Sequence, residues 1–401
     1  MSSRLEQLIE ELCPNGIDYV AFRKLATIVR GGSPRPIGNF VTEEPDGIPW
    51  IKIGDVAAGS KYITSTKERI RKDGISKSRL VKPGDFILSN SMSFGRPYIL
   101  QIEGCIHDGW LSISDFEEVF ISDFLFYLLG SNIIQNAMKQ QASSGTVSNL
   151  NAEIVKKILL PVPPISIQRE IVRILDNFTE LTAELTAELT ARKKQYEYYR
   201  NELLAFGEDV PMMKLGEIST EMYRGSGIKR DEITEEGTPC VRYGEIYTDY
   251  NIWFDTCKSY TKNGTKAFGY GDILFAITGE SVEGIAKSCV YMGHETCYAG
   301  GDIVVMKHQQ NPKYISYALS TTSAQKQKSK GKVKSKVVHS SIPALKEIVI
   351  PVPSLEEQER VVSILDKFDE LVTGKSAGIT TEIAARQQQY KHYRDRLLTF
   401  N

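Results

Sequence analysis

The stretch Pro161-Val-Pro-Pro-Ile-Ser-Ile-Gln-Arg-Glu-Ile-Val-Arg-Ile-Leu-Asp-Asn-Phe-Thr-Glu-Leu181 returns later in the chain as Pro351-Val-Pro-Ser-Leu-Glu-Glu-Gln-Glu-Arg-Val-Val-Ser-Ile-Leu-Asp-Lys-Phe-Asp-Glu-Leu371. The two copies are identical at 11 of 21 positions. A second pair follows at 191–206 and 385–400, identical at 9 of 16 positions. Self-similarity at a nearly fixed offset indicates a duplicated architecture. The sequence therefore predicts an internal pseudo-repeat.

The repeated segments have the pattern of long helices. Pro-rich stretches precede each one, as at a helix start, and apolar residues then recur at alternating spacings of three and four, as in a coiled-coil seam. These are Ile171, Ile174, Phe178, Leu181, Leu185, Tyr196, Tyr199, Leu203 and Phe206, and then Val361, Ile364, Phe368, Leu371, Tyr390, Tyr393, Leu397 and Phe400. The alternative is that these helices pack into one globular core. Their lengths of about 65 and 70 Å disfavour it, because they exceed the diameter of a domain of about 150 residues.

The first long helix contains a tandem tetrapeptide, Thr182-Ala-Glu-Leu185-Thr-Ala-Glu-Leu189. One such unit adds about 6 Å of helix and about 40° of rotation. One base pair of DNA rises about 3.4 Å and turns about 34°. If the helices hold two DNA-reading domains apart, gain or loss of one unit is expected to change the preferred spacing by one or two base pairs.

Each long helix follows a block with the pattern of a mixed α/β domain. Short runs rich in β-branched and aromatic residues predict strands that include 48–56, 86–89, 273–277 and 302–306. Each block also has one predicted helix, near 122–140 and 313–326. The predicted domains are an N-terminal helix 1–12, a first α/β domain 13–163, a central helix 164–207, a second α/β domain 208–353 and a C-terminal helix 354–401.

Composition excludes several classes of protein. The chain has 401 residues, 41% of them hydrophobic and 25% charged, which is typical of a globular protein. No run approaches the roughly 18 apolar residues of a membrane span, and the N-terminal residues lack the apolar core of a signal peptide. We therefore predict a cytoplasmic protein with no membrane partner.

The chain offers no recognisable catalytic or metal-binding set. The six cysteines contain no Cys-x-x-Cys pair, so the sequence predicts reduced thiols and neither a zinc site nor a disulfide framework. His107-Asp108 is an isolated pair, predicted to be structural. We expect a non-catalytic chain with no cofactor and no metal of its own.

The net charge of −1 argues against a nucleic-acid partner, but the positive charges are clustered. Residues 61–82 hold eight Lys and Arg against two acids, a local charge of +6, and residues 324–336 hold six Lys and no acid. In an extended segment the alternating lysines of the second cluster would line one edge, suited to following phosphates. The alternative for each cluster is a solvated charged surface.

Two glycine-rich loops, at 30–36 and 223–230, carry Arg side chains suited to guanine recognition. With the two clusters they give the candidate double-stranded DNA contacts, which sequence alone cannot divide into base and phosphate contacts. The candidates are Arg30, Arg35, Lys52, Arg69, Arg71, Lys72, Lys77, Arg79, Arg96, Arg224, Lys229, Arg230, Arg242, Lys326, Lys328, Lys330, Lys332, Lys334 and Lys336.

The chain resembles the DNA-specificity subunit of type I restriction-modification systems. The resemblance is carried by Gly31-Gly-Ser-Pro34, the 47–55 run Gly-Ile-Pro-Trp-Ile-Lys-Ile-Gly-Asp, the segment from Gly145-Thr-Val147 to Gln168, and Ile-Leu-Asp-x-Phe at 174–178 and 364–368. The Thr-Ala-Glu-Leu units resemble those of the subgroup in which tetrapeptides set the spacer. The second loop departs from the family pattern, reading Arg224-Gly-Ser-Gly227.

The resemblance implies two target recognition domains that each read half of an asymmetric bipartite sequence, separated by an antiparallel coiled coil. It also implies two modification subunits, which methylate adenine with S-adenosylmethionine, and ATP-driven restriction/translocase subunits; S-adenosylmethionine, ATP and Mg are expected only in those partners. The Tyr-rich helix ends and the Leu stripe of residues 1–12 are the predicted docking surfaces. The alternatives are a two-headed protein-binding scaffold without base readout, and an enzyme of unrecognised type.

Overall fold

The structure is a computed structural model that describes residues 3–56, 59–90, 94–143, 150–282, 284–329, 332–334, 337–373 and 379–400. It divides into two compact units by internal contacts. Unit 1 is Met1–Glu184 with Ile383–Asn401, and unit 2 is Leu185–Glu382. Each unit thus combines one α/β half of the chain with parts of the long helices.

The helices are short except in the repeated segments. In chain order they are α1 Ser3–Leu12, α2 Ser122–Leu129, α3 Asn132–Ser143, α4 Ala152–Lys157, α5 Ile165–Leu203, α6 Leu215–Ile218, α7 Tyr243–Thr248, α8 Pro312–Leu319, α9 Thr322–Lys328, α10 Ile342–Lys346, α11 Leu355–Thr373 and α12 Ile379–Leu397. Helix α5 is continuous through the tetrapeptides, while the predicted C-terminal helix is described as α11 and α12. None of the described helices has the length and apolar composition needed to cross a membrane.

Unit 1 contains twelve described strands in three sheets. The strands are β1 Tyr19–Ala21, β2 Thr27–Arg30, β3 Val41–Thr42, β4 Ile48–Ile51, β5 Tyr62–Ile63, β6 Glu68–Ile70, β7 Arg79–Val81, β8 Phe86–Ser89, β9 Pro97–Leu100, β10 Gly104–Ile106, β11 Trp110–Ser114 and β12 Leu159–Pro161. The two five-stranded sheets have the orders β2-β11-β8-β9-β5 and β3-β6-β4-β10-β7, and β1 pairs with β12.

Unit 2 repeats this strand order. Its strands are β13 Met212–Lys214, β14 Ser219–Arg224, β15 Ile233–Thr234, β16 Thr238–Val241, β17 Trp253–Phe254, β18 Ser259–Thr261, β19 Ala267–Phe268, β20 Ile273–Ala276, β21 Thr278–Gly279, β22 Ser288–Tyr291, β23 Cys297–Ala299, β24 Ile303–His308, β25 Lys332–Lys334, β26 Val337–His339 and β27 Val349–Pro351. The sheet orders are β14-β24-β20-β22-β17, β15-β18-β16-β23-β19 and β13-β27, with a further sheet β21-β26-β25.

The correspondence extends to strand direction. In unit 1 the pairs β5/β9 and β4/β10 are parallel, and their counterparts β17/β22 and β16/β23 in unit 2 are parallel too. All other pairings in the four five-stranded sheets, two in each unit, are antiparallel. Two blocks that match only loosely in sequence therefore share one topology, which confirms the predicted duplicated α/β fold.

Each predicted single helix of the α/β blocks is a pair of helices in the structure. Helix α2 ends at Leu129 and α3 begins at Asn132, and the same break separates α8 from α9. In unit 1 the break holds Gly130, a weak helix former, and in unit 2 the Thr321 side chain accepts a hydrogen bond from Ala324 N, as a helix N-cap does. The prediction of one helix in each block was therefore wrong.

The long helices make two kinds of contact. Near the start of α5, Ile171 and Leu175 are buried in the main core of unit 1. Farther along, aromatic rings stack between helices: Phe178 on Tyr393 at 5.3 Å in unit 1, and Tyr199 on Phe368 at 5.5 Å in unit 2. Each stacked pair joins α5 to another long helix of the same unit, α12 in unit 1 and α11 in unit 2.

A buried glutamine fixes each long helix to its α/β half. The Gln168 carboxamide accepts from Ile121 N at 3.0 Å and donates to the carbonyls of Val119 and Pro163. Gln358 accepts from Asn311 N at 2.9 Å and donates to Pro353 O and Gln310 Oε1. Buried amides need such partners, so these contacts fix where each helix begins.

Helix α1 packs against the core of unit 1 through part of its apolar stripe. Leu5 is fully buried in the main core of unit 1, and Leu8 and Ile9 pack against that core. Leu12 is exposed. Leu5 is therefore taken up by the core of unit 1, while the other residues of the predicted docking stripe keep part of their surface exposed.

Candidate nucleic-acid interface

The two glycine-rich loops leave the ends of equivalent strands, β2 and β14, and need glycine for the same reason. Gly31 N donates to Trp110 O at 2.9 Å, and Gly225 N donates to Ile303 O at 2.8 Å. A Cβ on Gly31 would lie 2.2 Å from His107 O, and one on Gly225 would lie 2.2 Å from Gly300 O. Only glycine allows this close approach of two backbone segments.

An arginine before each glycine ties the loop to the same place. Arg30 Nε donates to Asp108 O at 3.2 Å, and Arg224 Nε donates to Gly301 O. These two carbonyls stand at equivalent positions, because Leu111 pairs with Arg30 and Val304 pairs with Arg224 across the sheets. Both arginines therefore position the loop, and both are exposed, so they remain accessible to a ligand.

The carboxylate beside each arginine is used differently in the two units. In unit 1, Asp108 accepts from Ser33 Oγ at 2.8 Å and lies 3.4 Å from Arg35 Nη2. The Ser33 hydrogen bond is the main cause that lowers the pKa of Asp108. In unit 2, Asp302 pairs with Arg224 at 2.7 Å. The loops thus share a backbone and differ in their polar groups.

The unit 1 loop borders a surface cavity of about 380 Å³, lined by residues that include Trp50, Lys52, His107 and Asp108. His107 Nδ1 accepts a hydrogen bond from Gly109 N at 2.8 Å, and burial lowers the pKa of His107. Its imidazole is therefore neutral at pH 7, with the proton on Nε2.

A cation directly follows strand β4 in unit 1 and its counterpart β16 in unit 2. Lys52 pairs with Glu68, and Asp55 Oδ2 accepts from Lys52 N at 2.8 Å. Arg242, its counterpart, pairs with Glu245 at 3.0 Å, and Glu245 also accepts from Ser259 Oγ. Each cation is therefore already held by a carboxylate, which fixes its position and reduces the local charge.

The first basic cluster is less charged in space than in sequence. Arg71 pairs with Asp73 at 2.7 Å and Lys72 with Asp46 at 2.8 Å, which raises the pKa of Lys72. Arg69 Nη1 donates to the carbonyls of Pro45 and Gly47. The expected local charge of +6 omitted Asp46, which lies outside the 61–82 window.

The other candidate DNA contacts of unit 1 do not form a single cluster. Lys77 lies over the Phe40 ring, 4.7 Å from its centroid, and Arg79 is exposed on β7. Neither forms a salt bridge within the described part of the chain. Arg96 lies over Tyr98 and lines a cavity beside Tyr390 of α12, not the glycine-rich loop.

The second basic cluster departs from the expected extended segment. Lys326 and Lys328 are in helix α9, and Lys328 is only 4% exposed, with its Nζ 3.0 Å from Ser288 Oγ. Lys332 and Lys334 are in strand β25, described by its backbone, and Lys330 and Lys336 lie outside the described residues. The prediction of one continuous lysine edge was wrong, because α9 extends through Lys328 and turns it inward.

The remaining unit 2 candidates, Lys229 and Arg230, are exposed at the start of a short 3₁₀ turn, Arg230–Glu232. Sequence reasoning missed Asp108, Ser33 and Asp302, which complete the loop contacts. The available signal was the position of His107-Asp108-Gly109 and Gly301-Asp302 just before matching strands β11 and β24. Within the described ranges no group of three or more His, Cys, Asp or Glu side chains could hold a metal ion.

Comparison with known proteins gives one consistent result. The family model described as Type I restriction modification DNA specificity domain matches twice, at residues 18–192 and 207–384. Each match spans one α/β half and part of the following helix. The two matches together include both glycine-rich loops.

Two curated relatives from Escherichia coli are similar to the chain. The EcoR124I/EcoR124II type I restriction enzyme specificity subunit is 35% identical over 61% of this chain and 63% of its own length, so the match spans less than two thirds of that relative. The EcoprrI type I restriction enzyme specificity subunit is 26% identical over 92% of this chain and 91% of its own.

A solved structure supports the fold. A chain from a study of complex assembly and conformational transition in the type I R-M system superimposes with a TM-score of 0.67. The superposition covers 96% of this chain and 98% of that one, at 18% identity. At this identity the likeness concerns the arrangement of the backbone.

Proposed function

The chain belongs to the family of type I restriction modification DNA specificity domains, and from that premise we propose that it is the specificity subunit of such a system. Each α/β half reads one half of an asymmetric bipartite DNA target, and the long helices set the spacing between them. The observation that carries the proposal is the duplicated loop: two glycines in equivalent close contacts, flanked by different polar side chains. A constant backbone with varied side chains suits two readers of different sequences.

We propose the glycine-rich loops and the cations beside them as the DNA contacts. In unit 1 these are Arg30, Arg35, Lys52, Lys77 and Arg79, and in unit 2 they are Arg224, Lys229, Arg230 and Arg242. Arginine can donate two hydrogen bonds to guanine, and lysine suits phosphate. Lys328 is left out because its ammonium is buried.

The catalytic activities are proposed to lie in partner subunits. Two modification subunits would methylate adenine with S-adenosylmethionine, and restriction/translocase subunits would use ATP and Mg. This chain would be non-catalytic, holding no cofactor, and would act in the cytoplasm. The exposed tyrosines of α5, Tyr198 and Tyr199, support docking through the helix ends.

The experiment that tests the proposal is methylation mapping. The chain is co-expressed with the methyltransferase encoded beside it, and adenine methylation is read across the host genome by single-molecule sequencing. We expect a bipartite motif with a fixed gap, absent when the chain is omitted. Methylation that does not depend on the chain, or none from a stable complex, would contradict the proposal.

Exchanging one α/β half gives a sharper form of the methylation experiment. Replacing 13–160 with the corresponding block of another family member should change one half of the motif and leave the other half and the gap intact. Deleting Thr182–Leu185 should instead keep both halves and shorten the gap by one or two base pairs.

The protein-binding scaffold is the alternative function. The salt dependence of binding to duplex DNA distinguishes this function from DNA recognition. Release of counterions from contacted phosphates makes DNA affinity fall linearly with salt on logarithmic axes, by about 0.9 per phosphate contact. A scaffold predicts no such steep dependence.

A further inference from the structure

A surface pocket of about 310 Å³ in unit 2 has an unusual concentration of cations. It lies where α5, α9, α11 and strand β22 meet, and it is lined by Lys193, Arg200, Lys287 and Lys328 against Glu197 and Asp369. Its volume is at the lower end of the range for small-molecule sites. The glycine-rich loops do not line it, and the DNA-binding proposal does not use it.

Lys328 is the central feature of this pocket. Its side chain is 4% exposed and its Nζ meets Ser288 Oγ at 3.0 Å. Among the described residues no carboxylate lies within salt-bridge distance of this ammonium. A buried ammonium without a paired carboxylate is costly, so an anion bound beside Lys328 would lower the cost of keeping it charged.

Two polar atoms of neighbouring residues lack hydrogen-bond partners in the described part of the chain. Tyr196, 7% exposed, has a buried hydroxyl that makes no hydrogen bond within the described chain, and the same is true of Arg200 Nε. Both residues line the pocket with Lys328. Buried donors are rarely left unsatisfied. Side chains that end in an ammonium, a phenol and a guanidinium thus line one pocket.

The equivalent pocket in unit 1 keeps Arg96 and Arg394 but shows that the fold does not require a cation at the position of Lys328. Tyr390 and Arg394 there correspond to Tyr196 and Arg200 in the repeat. The position of Lys328 is taken by Met138, which is fully buried. An apolar side chain therefore occupies the equivalent position in the equivalent helix pair.

A second difference between the units also makes the unit 2 pocket more positively charged. In unit 1, Arg394 pairs with Asp395 at 3.0 Å, and Asp395 also accepts from Asn132 N at the start of α3. In unit 2 the corresponding residue is Asn201, which keeps the contact to the start of α9 through Thr322 N at 2.9 Å. The structural contact is retained while the neutralising carboxylate is absent.

We propose that the unit 2 pocket binds a small oxyanion, a phosphate or sulfate group, held by Lys328, Arg200 and the Tyr196 hydroxyl. Tetrahedral oxyanions accept several charge-assisted hydrogen bonds at once, which matches the convergence of these donors. Unit 1, with Met138 and Asp395, does not bind it.

Protonation should couple to binding. Burial lowers the pKa of Lys328 to about 7, and burial lowers the pKa of Lys287 as well. A bound anion favours the charged lysines, so affinity should rise as pH falls. The other charged or titratable groups around Lys328 are Lys193, Glu197, Arg200, Cys289 and Asp369, and burial raises the pKa of Cys289 to about 12, beyond this range.

The experiment is calorimetric titration of the full chain with sulfate at constant ionic strength in chloride. Sulfate does not titrate between pH 6 and 9, so any pH dependence belongs to the protein. We expect saturable binding at one site that weakens as pH rises above 7, by up to about tenfold per pH unit. Inorganic phosphate should bind at the same site and compete with sulfate.

Three variants complete the test. Lys328→Met, which copies unit 1, should abolish binding, and Asn201→Asp should weaken it about tenfold or more. Arg394→Met changes the equivalent pocket of unit 1 and should leave binding unchanged. Sulfate also acts on proteins nonspecifically, and the comparison of wild type with Lys328→Met separates binding in the pocket from that effect. Equal binding by wild type and Lys328→Met, or no saturable binding at pH 6, would overturn the proposal. Thermal unfolding without sulfate checks that each variant is folded.

Discussion

Units 1 and 2 hold their glycine-rich loops through the same backbone contacts and different side chains. A Cβ on Gly31 or on Gly225 would lie 2.2 Å from a carbonyl oxygen, and Arg30 and Arg224 donate to carbonyls at equivalent positions. Asp108 then bonds Ser33, whereas Asp302 bonds Arg224 itself. The comparison teaches that the duplicated scaffold is fixed by backbone geometry, which leaves the surrounding side chains free to differ between two readers.

The strongest test of this equivalence removes the buried glutamines. Gln168→Leu and Gln358→Leu each leave one backbone N–H and two acceptors without their partner. Because each unsatisfied buried group costs about 1–3 kcal/mol, we expect either change to lower the unfolding free energy of its own unit by about 3–5 kcal/mol. Scanning calorimetry should show one shifted transition in each variant.

The control is Gln388→Leu on the exposed face of α12, which should shift neither transition by more than about 0.5 kcal/mol. If Gln168→Leu and Gln358→Leu differed widely in cost, the two helix anchors would not be equivalent.

A second test breaks the loop backbone. Gly31→Ala or Gly225→Ala places a Cβ 2.2 Å from a carbonyl oxygen, so the loop must move. We expect a cost of about 1–3 kcal/mol and, in the methylation assay, loss of the recognition half read by that unit. Both variants should retain the sheet content seen by circular dichroism.

Gly227→Ala is the matched control, because nothing lies within 4 Å of its Cβ. It stands in the same unit 2 loop and should keep both stability and the motif. Normal half-site recognition by Gly225→Ala would show that this loop does not take part in reading DNA.

Some of this arrangement could be predicted from sequence and some could not. The long helices and the duplication were readable because the repeat and the spacing of three and four extend over many residues. The sheet orders were not, because most strands are two to six residues long and their partners lie far along the chain. Lys72 and Asp46 are 26 residues apart, and Asp108 and Ser33 are 75 apart.

The lysines of 324–336 also show that sequence alone could not predict which side chains are buried. Alternation predicts one edge only if the segment is extended, and no local signal placed the end of α9 at Lys328. The burial of that residue depends on Ser288, 40 residues earlier. Tertiary packing therefore decided which lysines face solvent.

A third test compares the tyrosine contacts to the long helices. Tyr127 donates to Asp176 at 2.5 Å, and Tyr317 donates to Asp366 at 2.7 Å. Asp366 also pairs with Lys313. We expect Tyr127→Phe to lower the unfolding free energy by about 1.5–3 kcal/mol and Tyr317→Phe by about 1 kcal/mol, since Asp366 keeps a charged partner. Urea unfolding followed by circular dichroism measures both, and a larger cost for Tyr317→Phe would contradict the argument.

The smallest expected effect concerns the side chains around the loop. The Ser33 hydrogen bond holds the pKa of Asp108 below its ordinary value, so Asp108 stabilises the fold above pH 4 and loses that contribution as pH falls through its lowered pKa. Ser33→Ala should therefore lower the melting temperature slightly at pH 7, and the difference from wild type should shrink between pH 5 and pH 3. Ser226→Ala in the unit 2 loop, where Ser226 Oγ accepts from Thr265 N and does not touch Asp302, should give a difference that does not change with pH. A pH-independent difference for Ser33→Ala would mean that the hydroxyl does not act through Asp108.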